Sequence, residues 1–270
     1  MDGFVGFALA LAFGGAVAGF MAGLLGIGGG AVLVPVLYEV FGLLGIDEAI
    51  RTHLAVGTSL AIIVPTGLRS AYGHHQKQSV DWGYVKLVAP FIVIGVVLGA
   101  VIAVFVEGGV LRLVYGIAVI VVGLFLLWSQ RHPDMRLAWP GDWLVRLYGV
   151  FTGAISTLMG IGGGTFTGSF MTLFGRSIHQ AVGTAAAIGP LIALPGAIGF
   201  VLGGWGNGLL PNYSVGFVSL LGAILVLPTS LMFAPLGVRA AHGLSKARLE
   251  FVFALFLLTV GVRFLWSVFA

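Results

Sequence analysis

Residues 23–30 read GLLGIGGG, and residues 157–164 repeat the string as TLMGIGGG. Within it, LLGIGGG at 24–30 and LMGIGGG at 158–164 share six of seven residues. Three consecutive glycines are poor helix formers, each costing about 1 kcal/mol relative to alanine in a helix interior. Both tracts follow one apolar stretch and precede another, so each predicts a break between two helices.

Outward from the breaks, two further segments repeat. HLAVGTS at 53–59 matches HQAVGTA at 179–185 in five of seven residues. LRLVYGIAVIVVGLFLLWS at 111–129 aligns with LEFVFALFLLTVGVRFLWS at 249–267 and shares its final Leu-Trp-Ser. The three offsets, 134, 126 and 138, occur in the same order along the chain, which makes it a tandem duplication. The first repeat is expected over 1–130, a linker on the cytoplasmic side over 131–143, and the second repeat over 144–270.

The stretches around the repeats are too apolar for a water-facing surface. Of 270 residues 59% are hydrophobic and 8% charged, against about 25% charged in a soluble domain. Runs such as Val85–Val106, Val110–Trp128, Val215–Leu236 and Phe251–Trp266 have the roughly 20-residue length that crosses about 30 Å of hydrocarbon. An all-α, polytopic membrane protein follows. The opening Met-Asp-Gly-Phe has no basic n-region, so the first apolar segment reads as a retained span. The net charge of +4 sits in short loops and is no nucleic-acid signature, and with no cysteine there is neither a thiolate metal site nor a disulfide.

Each half divides into five elements, near 4–24, 31–44, 54–72, 84–105 and 110–129, then 144–159, 165–175, 180–202, 214–237 and 248–269. The second of each half is too short to span simply and is expected as a half-helix or re-entrant piece. Basic loops at 73–86 (Lys77, Lys86), 131–146 (Arg131, Arg136, Arg146) and 239–248 (Arg239, Lys246, Arg248) contrast with the uncharged 203–213. With basic loops in the cytoplasm, equivalent elements run in opposite directions. That is the inverted-repeat plan of many secondary transporters.

Broken backbone at membrane depth persists only where protein buries it or a polar cavity meets it. Its free amides, with the positive end of the following half-helix, suit an anion. The expected site comprises Gly28, Gly29 and Gly30 with Gly162, Gly163, Gly164 and Thr165. To these are added Thr58, Ser59 and Thr184 of the Ala-Val-Gly-Thr segments, and Arg69. The hydroxyls have a second reading, bonding to their own or a neighbouring helix, and so have glycines such as Gly15, Gly19 and Gly23, which let helices pack closely. His53 and His179 fall at the edges of their spans, as substrate or proton ligands or as plain loop residues. Glu39 is the acid to pair with a basic group or bind a proton. No dinucleotide fingerprint, P-loop lysine, metal-spaced ligand set or serine-nucleophile loop is present, so neither cofactor, metal nor enzymatic activity is expected.

At the glycine breaks, with their AVGTS and AVGTA companions, the sequence resembles the TauE/SafE family of anion transporters, also called sulfite exporters. The resemblance covers essentially the whole chain. It implies transport of sulfite, sulfonates or related organosulfur anions through the cell membrane, in a direction it does not fix. The pair of inverted breaks points to alternating access, and uptake of an anion against an interior-negative potential needs H⁺ or Na⁺. An anion channel, a non-transporting membrane subunit and an oligomer stay open. Two departures from symmetry, Ala185 in place of Ser59 and no basic counterpart of Arg69, imply an asymmetric site.

Overall fold

A computed structural model describes residues 2–25, 30–131, 137–242 and 246–269. It contains ten helices among the described residues. The first half runs α1 (Asp2–Leu25), α2 (Gly30–Leu43), α3 (Glu48–Gln76), α4 (Trp82–Phe105) and α5 (Gly108–Arg131). The second runs α6 (Asp142–Met159), α7 (Gly164–Leu173), α8 (Ile178–Gly203), α9 (Leu220–His242) and α10 (Lys246–Phe269). Six of them, α3, α4, α5, α8, α9 and α10, contain stretches long and apolar enough to cross a membrane.

The helix starts follow from side-chain caps. Asp47 accepts the Ala49 N–H, Asp81 the Tyr84 N–H, Ser177 the Gln180 N–H and Ser219 the Gly222 N–H. One of these caps corrects an expected boundary. Because Asp47 opens α3, the first Ala-Val-Gly-Thr segment and His53 lie inside that helix rather than at its edge, whereas residues 181–184 fall in the first two turns of α8, where they are expected. The polar Ile-Asp-Glu-Ala-Ile-Arg run reads as loop by composition, yet its aspartate is the cap. The ninth element also begins later than 214. Residues Ser214–Val215 and Val218–Ser219 pair as a two-stranded antiparallel hairpin, β1 and β2, turning at Gly216 with φ +54°.

α2 and α7, at 14 and 10 residues, are about 21 and 15 Å long at 1.5 Å per residue, short of the roughly 30 Å of a bilayer crossing. The long helices pair in a regular scheme: α1 with α9, α4 with α6, α3 with α8 and α5 with α10. With α1–α5 matched to α6–α10, each half's first helix packs on the other's fourth, and the third and fifth pack on their counterparts. The close approaches repeat as well. A Cβ on Gly19 would lie 2.2 Å from the Ser230 carbonyl oxygen, and one on Gly153 would lie 2.2 Å from that of Ile92. Gly153 is 134 residues beyond Gly19, so the packing reading of the Gly15–Gly19 series holds at matched places in both halves.

The buried core fills the seam between these pairs, with Leu37, Leu54, Leu60, Ile63 and Phe200 at 0–2% exposure. Outward faces stay apolar: Ile94, Val97 and Val101 of α4 are about half exposed, as lipid-facing residues are.

Candidate functional site

The centre of the molecule is the second glycine break. α6 ends in a Schellman motif. Gly160 takes the left-handed conformation (φ +67°), the Ile161 N–H bonds to the Ser156 carbonyl at 2.9 Å, and the Gly160 N–H bonds to the Thr157 carbonyl at 3.2 Å. Three residues beyond Gly160, Gly163 is also left-handed (φ +68°) and heads α7 without any side-chain cap. The first bond into that helix is Thr167 N–H to the Gly163 carbonyl, 3.0 Å. The amides of Gly164, Thr165 and Phe166 therefore have no acceptor inside α7. Residues 159–163 are all buried.

Gly28 and Gly29 lie outside the described residues, but Gly30, the first residue of α2, is described and buried. It abuts the second break: a Cβ there would sit 2.7 Å from the Ile161 Cα and 3.0 Å from the Gly160 carbonyl oxygen. Ser59, fully buried on α3, donates to that same Gly160 oxygen at 2.8 Å. Gly162 faces Ile63 of α3 and Gly189 of α8. So α2, α3, α6, α7 and α8 meet at one place. Gly30, Ser59, Gly162 and Gly163 gather there, with Gly164 and Thr165 on the first turn of α7 beside them.

The two threonines of the repeated motif serve a different contact. Thr58 Oγ1 accepts the Ser219 N–H at 2.9 Å, and Thr184 Oγ1 accepts the Asp81 N–H at 2.9 Å. Ser219 and Asp81 are the caps of α9 and α4, again 138 residues apart. The preceding glycines lie against the same turns: a Cβ on Gly57 would meet the Phe217 carbonyl oxygen at 2.1 Å, and one on Gly183 that of Ser79 at 2.5 Å. Ala-Val-Gly-Thr is thus an interlock, by which each half grips the chain entering the other half's fourth helix. Arg69 is exposed on α3, ten residues and about 15 Å along the helix from Ser59, apart from the breaks. His179 is exposed. His53 is 5% exposed, stacked on Phe217, with Nε2 2.9 Å from the Ala103 and 3.1 Å from the Val106 carbonyl oxygens at the end of α4.

Composition alone did not single out three groups. Ser156 is fully buried with its hydroxyl unpartnered, and its Oγ lies 3.3 Å from where a Gly163 Cβ would be. One turn back, Thr152 is 1% exposed; its hydroxyl makes no bond of good geometry, with the Tyr148 hydroxyl as its neighbour. Third, Arg112 near the start of α5 is 7% exposed and donates to Glu48, to the Tyr38 hydroxyl (2.9 Å) and to the Ser267 carbonyl (3.2 Å). A repeat-by-repeat comparison finds the first two, because Ala18 and Ala22 occupy the places of Thr152 and Ser156. Glu39 pairs with Arg263 at 3.2 Å, both exposed. Among the described residues no three His, Cys, Asp or Glu side chains could hold a metal ion together.

Residues 11–264, which include both breaks, match the family model described as sulfite exporter TauE/SafE. The chain belongs to the TauE/SafE family. A "Probable membrane transporter protein" of Haemophilus influenzae is 33% identical over 249 residues, covering 92% of this chain and 94% of the relative. Probable membrane transporters of Methanocaldococcus jannaschii (25% over 256 residues; 92% and 91% covered) and of Xylella fastidiosa strain Temecula1 (26% over 263; 93% and 92%) are also similar. No solved structure matches the chain significantly. Family and helices together make this a multi-pass membrane protein of a transporter family.

Proposed function

We propose that this TauE/SafE member is a secondary transporter that carries small organosulfur anions, sulfite or a sulfonate, across the cell membrane by alternating access. The observation that carries the reading is the meeting of Gly30 with Gly160 and Ile161. Gly30, the last residue of the first tract, and the second break share one buried place. In an inverted-repeat transporter that place lies near the bilayer midplane, where half-helix ends face the substrate. The matched pairs α1–α9 and α4–α6 support two inverted units related by a pseudo-twofold axis.

Gly30, Gly162, Gly163, Gly164 and Thr165 supply backbone and the first-turn hydroxyl, Ser59 fixes the break, and Gly28 and Gly29 complete the first tract. Thr58 and Thr184 hold the two halves in register around it, and Arg69 serves the cytoplasmic approach. Prolines inside α3 (Pro65) and α8 (Pro190) interrupt the hydrogen-bond ladders of the two central helices, where rocking would bend them. With the cell interior negative, each anionic charge gains about 2.3 kcal/mol per 100 mV on leaving. Export therefore needs no coupling ion, whereas uptake needs H⁺ or Na⁺.

The test is flux of sulfite, thiosulfate, a sulfonate and a carboxylate in proteoliposomes containing only this protein, with imposed pH, Na⁺ and voltage gradients. Saturable, competable flux of one anion is expected. Gly162→Leu should abolish that flux in a protein that still purifies as a monodisperse species. Wild-type flux in that variant would remove the break from the mechanism.

A further inference from the structure

We propose that the protein rests closed on its outer face and opens first to the cytoplasm. The lock on its outer mouth is buried and charged, whereas the lock on its inner mouth lies at the surface. The inference rests on the transporter reading and adds the side from which substrate is first taken.

The two half-helices turn back to opposite faces. With the basic loops in the cytoplasm, the starts of α3 and α5 and the end of α10 lie outside. α2 leaves the first break and runs to that face, where Tyr38 meets Arg112 of α5. α7 leaves the second break and folds back along α6: the Tyr148 hydroxyl donates to the Phe166 carbonyl at 2.8 Å, and the Tyr148 ring stacks on Phe170 at 4.1 Å. Its last residue, Leu173, then accepts the Leu137 N–H of the cytoplasmic linker at 2.9 Å. Each half-helix therefore closes one mouth, α2 the outer and α7 the inner.

The closures differ in kind. Outside, the Arg112 guanidinium is 7% exposed and donates to the Glu48 carboxylate, the Tyr38 hydroxyl and the Ser267 carbonyl, which ties α2 to α3, α5 and α10 at once. Tyr38 is buried as well, with the Phe264 ring 5.2 Å and the Arg51 guanidinium 5.4 Å from its own. Charge-assisted bonds are about twice as strong as neutral ones, and a buried charge stripped of its partners is strongly destabilising. Inside, Arg176 faces Asp81 at 3.7 Å with its side chain 41% exposed. It lies 4.5 Å from the ring of Trp139, itself 37% exposed, which meets Tyr84, Phe170 and Phe174 edge-on at 6.0–6.2 Å. Exposed ion pairs contribute little, and water takes the place of these contacts as they part. Of two ways to open, the population favours the one whose contacts cost less to separate. An anion inside the cell thus meets the opening mouth and leaves down the interior-negative potential.

Sided thiol labelling tests this. The chain has no cysteine, so Ser156→Cys places a single thiol at the second break. A membrane-impermeant methanethiosulfonate should label it at least roughly tenfold faster in inside-out than in right-side-out vesicles. Tyr38→Phe, which keeps the ion pair, and Glu48→Gln, which removes it, should each raise outside labelling by about threefold or more. Arg176→Gln should raise cytoplasmic labelling and leave the outside rate unchanged. Equal labelling from the two sides, faster labelling from outside, or none from either would overturn the inference. So would an outside rate that neither outer-lock variant changes. Sulfite flux through the wild-type protein in the same vesicles reports the transporter reading separately: flux can persist with labelling that favours the outside, and it can be absent while labelling stays one-sided.

Discussion

Replacing Thr58 with valine separates a structural hydroxyl from a substrate ligand. Valine keeps the shape and removes the oxygen that accepts the Ser219 N–H at 2.9 Å. Thr58 is fully buried and Ser219 is 5% exposed, so no water replaces the lost partner. The cost of an unsatisfied buried donor is about 1–3 kcal/mol, and the well-covered geometry places Thr58→Val in the upper half of that range. Thr184→Val orphans the Asp81 N–H, which is only partly buried, and belongs at about 1 kcal/mol. The two contacts share no residue, so the double variant should equal the sum of the singles within about 0.5 kcal/mol. Reversible unfolding in mixed micelles titrated with SDS measures all three. Folded Thr58→Val should transport with an unchanged KM. A variant as stable as wild type but with flux abolished would refute the interlock and make Thr58 a substrate ligand.

Other expectations concern packing and charge. Gly95→Ala would bring a Cβ within 2.1 Å of the Val150 carbonyl oxygen and should destabilise by about 1–3 kcal/mol, whereas a Cβ at Gly73 meets nothing within 4 Å, so Gly73→Ala should be neutral or stabilise by up to about 1 kcal/mol; the same SDS titration compares them. His53→Leu removes the donor to the Ala103 and Val106 carbonyls and should cost about 1–3 kcal/mol, while the exposed His179→Leu should cost less than about 0.5. Glu48→Gln, which leaves the buried Arg112 guanidinium without its carboxylate, should destabilise more than Glu39→Gln, which breaks an exposed pair worth about 0–1 kcal/mol.

Much of the architecture is legible because it is periodic and repeated. All ten elements fall on the expected apolar runs, with the starts of α3 and α9 each shifted by six residues, and the short second helix of each half lies between glycines, Gly30 and Gly45 in the first and Gly163 and Gly175 in the second. Boundaries set by a single side chain are not legible that way. Asp47 extends α3 six residues beyond the apolar run, and the 214–219 hairpin depends on Gly216 adopting positive φ in a stretch apolar enough to pass for helix. In the site, the glycines announce themselves, whereas the partner of a threonine does not. Thr58 and Thr184 belong to a motif that repeats in step with the breaks, yet their hydroxyls bond the starts of α9 and α4 instead. The burial of Arg112 is not legible in sequence, because one arginine near the end of an apolar run has the pattern of a snorkelling residue. Its burial depends on Tyr38, Glu48 and Ser267, which come from three other helices.

The pairing of α1 with α9 has a consequence for how the protein is made. At about 5–20 residues per second, the ribosome adds the roughly 200 residues separating α1 from α9 in about 10–40 seconds. Throughout that interval the Gly15 and Gly19 face of α1 has no partner from its own chain. The opening helix must wait in the bilayer beside the insertion machinery, and any chaperone for this protein has that grooved surface to hold.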